Sequence, residues 1–205
     1  MTEPTANPLA VLGDIAHTQI GVHETSENTG PQVQLYQRAT DEPGTGWPWC
    51  AAFVCWCVRD LARLRPGLLS CEAHNCLPRE ASVEGFYEWA VRTRQWVVPS
   101  YDPGTARPVI YPLYDEGFRP QAGDIVLMRF PSGRHCGIVN ATPYPSISGL
   151  SVPTIEGNTS GPYHATVDER NGGEVAAKTR PISCITHFIR LTLQAQPVNP
   201  STSNA

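Results

Sequence analysis

Cys50 follows the breaker-rich segment Thr45-Gly46-Trp47-Pro48-Trp49 and opens the apolar run Ala51-Ala52-Phe53-Val54-Cys55-Trp56-Cys57-Val58. A thiol at a helix start lies beside unpaired backbone N–H groups. Together with the helix dipole these stabilise a thiolate and lower its pKa, which turns a weak thiol into a nucleophile near neutral pH. The alternative for such a residue is a buried structural cysteine. His135 follows the turn Pro131-Ser132-Gly133-Arg134 and is expected to begin a strand, with Gly137 leaving one strand face uncovered. An imidazole there could lie over a cleft as a general base, or sit in a surface loop. Glu156 and Asn158 flank Gly157 at a strand end, and residues two apart in an extended chain project to one face. A carboxylate or amide in that position can hold the second imidazole nitrogen and fix its tautomer; the alternative is an ordinary polar strand end. Trp47 and Trp49 border the nucleophile and are candidates for lining a substrate groove, whereas Trp56 falls within the helix and reads as core.

These residues need elements to position them. Pro8 to Ala16 reads as a short helix with Leu9, Leu12 and Ala16 on one face. Pro31 marks another helix start, with Val33 and Tyr36 inward. The run from Cys50 to about Leu64 is apolar nearly all round, the mark of a buried helix. Val83, Phe86, Tyr87, Ala90 and Val91 fit one amphipathic helix, and the rest of Arg65 to Gln121 reads as loop. Beyond Gly123, strands are expected at Asp124 to Met128, His135 to Ala141, Val152 to Glu156, near Glu174 to Arg180, and within His187 to Leu193. Helices first and strands after is the α+β pattern. The chain is expected to form one domain over residues 1–195 with an insertion at about 65–120, and a polar tail at 196–205.

Composition excludes several functions. The chain has 205 residues, a net charge of −4 and a pI of about 5.8, so it carries no basic footprint for nucleic acid. The same balance gives no strong attraction to an anionic membrane. No run approaches the roughly 18 apolar residues of a membrane span, and Met1 to Pro8 lacks a signal-peptide pattern. Synthesis in the cytoplasm is therefore expected, with delivery if the substrate lies elsewhere. Seven cysteines leave at least one thiol unpaired. Cys71, His74 and Cys76 could join Cys55 or Cys57 around zinc, or Cys71 and Cys76 could form a bridge after export. The absence of paired Cys-x-x-Cys spacing favours unpaired loop thiols. Asp41 and Glu42 are too few for a calcium cage and read as a solvated loop. The proposed chemistry needs no metal and no cofactor.

The ordered set Trp47-Pro48-Trp49-Cys50-Ala51-Ala52-Phe53-Val54, Ala122-Gly123-Asp124-Ile125-Val126, His135-Cys136-Gly137-Ile138-Val139 and Ile155-Glu156-Gly157-Asn158 resembles the signature of the CHAP family, the cysteine, histidine-dependent amidohydrolases/peptidases. Gly21-Val22-His23-Glu24 and Asn28-Thr29-Gly30 resemble its lead-in, while roughly Arg65 to Pro120 finds no counterpart. The resemblance implies a papain-like α+β fold in which the nucleophile's helix packs on a small antiparallel sheet. It also implies Cys50 as nucleophile, His135 as base, Glu156 as the group orienting it and Asn158 as an auxiliary polar group. Cys136 departs from the commoner small aliphatic residue. The implied substrate is the stem peptide of peptidoglycan, cut by a phage lysin or a delivered antibacterial toxin acting on the cell wall or periplasm. Delivery machinery and an inhibitor (immunity) protein are then the expected partners. The rival readings are a cysteine amidase for a small cytosolic amide, such as a glutathione–polyamine conjugate, and a non-catalytic wall-binding module.

Overall fold

Leu9, Leu12 and Ala16 recur at the spacing of one helix face, and in the computed structural model all three are buried along α1 (Ala10–His17). The model describes residues 7–70, 77–99, 118–147, 149–161 and 172–194. The Cys71, His74 and Cys76 group, Pro103, Pro108, Pro112 and the 196–205 tail lie outside these residues. Pro31 stands at the first position of α2 (Pro31–Gln37), whose Val33 and Tyr36 face inward. α3 (Cys50–Leu64) begins at the candidate nucleophile, and Cys50 to Cys55 are all buried. α4 (Val83–Arg92) is capped by Ser82, whose hydroxyl accepts the Gly85 N–H at 3.0 Å. Its inward residues are Val83, Phe86, Trp89 and Ala90. Val91, expected to face inward, is instead exposed, since Trp89 takes the larger share of the buried stripe.

The described residues form a mixed α+β structure of four helices and one antiparallel sheet. Its strands are β1 (Trp96–Pro99), β2 (Ile125–Phe130), β3 (Gly133–Val139), β4 (Tyr144–Ser146), β5 (Gly149–Thr159), β6 (Glu174–Pro181) and β7 (Ile185–Arg190). The order runs β1-β7-β2-β3-β5-β4, with β6 also paired to β5. Seven strands make it larger than the small sheet expected. Two were missed: β1, inside the segment read as loop, pairs with β7, and β4 is a three-residue partner of β5. The β2–β3 hairpin turns on Pro131 and Ser132, with Phe130 opposite Gly133 and Met128 opposite His135. His135 is therefore the third residue of its strand rather than the first.

One core lies between the helices and the sheet, centred on Phe53, Val54 and Cys57 of α3 with Cys136, Ile138 and Ile155 of the sheet. A second gathers Val126, Met128, Phe130, Val139, Val152 and Phe188. Full burial of an aromatic or aliphatic side chain contributes about 1.5–3 kcal/mol, so the first cluster holds α3 firmly against the strands that carry His135 and Glu156. Close approach of helix to sheet depends on Gly157. A Cβ at that position would lie 2.6 Å from the Phe53 Cβ and 2.8 Å from the Trp49 ring. Among the described residues, no helix is long and apolar enough to cross a membrane.

Candidate active site

The start of α3 carries no side-chain cap; its N-cap is Trp49. The first-turn N–H groups therefore remain available to the Cys50 sulfur, and the Ala51 N–H hydrogen-bonds it. The Cys136 thiol and the His135 imidazole also lie beside this sulfur, His135 acting on it through charge, since neither ring nitrogen makes a well-aligned hydrogen bond. The Cys136 thiol and then the charge of His135 outweigh burial and hold the Cys50 thiol well below its ordinary pKa. The same contact with Cys50, together with burial, pushes Cys136 well above its own. Burial likewise raises Cys55 to about 12 and Cys184 to about 11. Of the thiols described, Cys50 is the one placed to ionise.

His135 is completely buried. Burial disfavours its charged form, but the Cys50 sulfur and then Glu156 outweigh that penalty and raise its pKa to about 9. Thiolate and imidazolium thus favour each other. The Glu156 Oε2 lies 3.0 Å from His135 Nε2, set off the ring's N–H axis, so the contact is an ion pair more than a directed hydrogen bond. Gly137 makes this approach available. It shares a face of β3 with His135, and a Cβ there would lie 2.6 Å from the Glu156 Cγ. The face that the sequence suggests is uncovered is occupied by the Glu156 side chain.

Glu156 has no exposed surface, yet its carboxyl is held well below the usual carboxylate range. Burial alone would raise it; Arg180 and His135 reverse that. Arg180 donates through Nε to Oε1 at 2.8 Å and through Nη2 to Oε2 at 2.6 Å, and the Thr154 hydroxyl donates to Oε1 at 2.6 Å. Neither Arg180 nor Thr154 stood out in the sequence. Thr154 shares the strand face of Glu156 two residues away, which is a readable signal. Arg180 pairs with Val152 across the β5–β6 ladder and reaches Glu156 diagonally, so its role depends on a register that no local pattern encodes.

Asn158 is also buried in β5, where the strand's regular pairing breaks. Its φ is +57° and the β5–β6 register shifts between Glu156 and Thr159. Asparagine is among the few residues that tolerate this left-handed backbone. The carboxylate that meets His135 is that of Glu156.

A cleft of about 570 Å³ opens on Cys50, lined by Glu42, Trp47 and Pro48, by the α4 cap Ser82 with Val83 and Glu84 of α4, and by Gly133 and Arg134 of β3. Glu84 and Arg134 form an ion pair. The α4 wall comes from the segment without a counterpart in the family resemblance. Trp47 borders this cleft, but the groove role expected for Trp49 is corrected. Trp49 is completely buried, stacked on Tyr36 with ring centroids 5.5 Å apart, and its Nε1 donates to Glu24 Oε1 at 2.7 Å. It anchors the turn before Cys50 instead. Asp41 pairs with Arg79 rather than facing Glu42 as a ligand set. Among the described residues, no group of three or more His, Cys, Asp or Glu side chains could hold a metal ion. No family model matches the chain, and neither does any curated protein or solved structure.

Proposed function

We propose that this chain is a papain-like cysteine amidohydrolase of the CHAP kind that hydrolyses an amide in the peptide part of peptidoglycan. The observation that carries the chemistry is the Cys50 sulfur at the first turn of α3, bordering a cleft and paired with a buried His135 that Glu156 holds. The substrate class rests on the sequence resemblance. Because the resting pair is charged, the thiolate attacks the amide carbonyl directly and forms a C–S bond. The backbone N–H of Cys50 faces the developing oxyanion. His135 then gives its proton to the departing nitrogen as the C–N bond breaks, leaving a thioester on Cys50. Water, deprotonated by neutral His135, attacks the thioester, releases the carboxylic acid and restores the pair. No metal or cofactor enters these steps. Delivery to the wall, by phage lysis or a secretion machine, belongs to the same proposal.

Digestion of purified sacculi, with products identified by mass, tests it. Wild-type protein is expected to release amide-cleaved peptides. Folded Cys50→Ala is expected to lose about 10⁶ in rate, as loss of the nucleophile does in the best-studied serine case. No release by the wild type, or Cys50→Ala within a few-fold of it, overturns the proposal.

A further inference from the structure

Glu156 is a carboxylate with no exposed surface. An ion in such a place costs several kcal/mol unless it is paired and its remaining lone pairs are filled. Its partners are two donors of one guanidinium at 2.8 and 2.6 Å, one hydroxyl at 2.6 Å, and His135 at 3.0 Å. Two parallel N–H···O bonds from a planar fork fix the plane of the carboxylate as well as its charge. The fork is itself held, with Arg180 Cζ 5.0 Å from the Phe130 ring centre and Nη2 3.5 Å from the Thr159 hydroxyl.

We infer that Arg180 is a positioning residue of this site: its two-bond grip holds the Glu156 carboxylate charged and aimed at His135, and thereby keeps Cys50 activated. The inference rests on the proposed cysteine chemistry and adds the group that sustains it. Arg180 acts through Glu156, not on the reacting atoms. Glu156 meets His135 on β3 and Arg180 on β6, and it couples more weakly through charge to Cys136 on β3 and to Cys184 in the 3-10 turn Ile182–Cys184. Of these, only Arg180 carries its charge at every working pH. Without it, burial governs Glu156, which takes up a proton and stops attracting the His135 imidazolium. The thiolate of Cys50 then loses its counter-charge.

The test is the rate of iodoacetamide alkylation at Cys50 as a function of pH, located by mass mapping, which needs no substrate. Arg180→Met and Arg180→Gln are expected to slow alkylation at mildly acidic pH by about tenfold, with circular dichroism as the folding control. Arg180→Lys, a point charge without the fork, should lose a few-fold. The double variant Arg180→Met/Glu156→Gln leaves no unpaired buried charge and should match Glu156→Gln alone. A folded neutral variant with the wild-type profile overturns the inference, as does a double variant well below Glu156→Gln. If both neutral variants fail to fold, Arg180→Lys decides: a partial loss supports the two-bond grip and an unchanged profile overturns it. Alkylation and hydrolysis separate the two claims. Wild-type protein that alkylates as expected but releases nothing from sacculi sinks the proposed activity alone. Normal hydrolysis with alkylation indifferent to Arg180 sinks this inference alone.

Discussion

Two arginine–carboxylate forks lie buried in this sheet, and they push their carboxyl groups in opposite directions. Asp124, just before β2, receives Arg190 Nε at 2.7 Å and Nη2 at 2.8 Å, and Arg190 lies over the Phe118 ring at 4.3 Å. Glu156 receives Arg180 in nearly the same way, with Arg180 over Phe130. Yet burial prevails at Asp124 and raises its carboxyl, while at Glu156 the partners prevail and lower it. The difference is His135. Each carboxylate accepts a third hydrogen bond, Asp124 from the Gln121 N–H and Glu156 from the Thr154 hydroxyl, and each guanidinium also meets another acceptor, but Glu156 alone gains a second cation. One fork ties the start of β2 to the end of β7. The other holds the carboxylate that meets His135.

The sharpest way to break this comparison is to neutralise each carboxylate. Glu156→Gln is expected to lower turnover by about 10²–10⁴, the usual worth of positioned acid–base chemistry. A carboxylate stabilises the imidazolium, and an amide does so less well. Asn158→Ala should cost less than Glu156→Gln, and Asp124→Asn should leave turnover within a few-fold while lowering stability. Initial rates on one peptidoglycan substrate, with circular dichroism for folding, decide the order. A silent Glu156→Gln beside a crippled Asn158→Ala would make Asn158 the orienting residue.

A smaller effect lies in the pH dependence of stability. Because the Glu156 carboxyl is lowered on folding, it contributes stability above the ordinary value of about 4.3 and loses it as pH falls toward its folded value. Asp124 is raised, so its contribution is present below its ordinary value and is lost as pH rises through the folded one. Denaturant unfolding between neutral and acid pH should therefore show a shallower acid loss in Glu156→Gln and a steeper one in Asp124→Asn. Equal slopes in both variants would mean that the two forks are electrostatically alike.

Much of this architecture is legible in the sequence where the signal is local. The Pro-Trp-Cys turn marks the start of α3, the leucine spacing gives α1, and alternation gives most of β2, β3 and β6. What depends on partners distant in the chain is not. β1 is four residues long and exists because β7 offers it an edge. Trp49 reads as a groove residue until Tyr36 and Glu24 are seen to enclose it. Asn158 reads as an ordinary strand residue, and its left-handed backbone is not legible in the sequence. Arg180 is 24 residues from Glu156 and is found only through the β5–β6 register.

The central claim is that Cys50 and His135 rest as a thiolate–imidazolium pair. Titration of the His135 ring by NMR, assigned against a His135→Gln variant, tests it most directly. The wild-type midpoint is expected near about 9, and in Cys50→Ala it should fall, because the thiolate charge that sustains it is gone. A wild-type midpoint at or below the ordinary 6.5, unmoved by Cys50→Ala, would contradict the account.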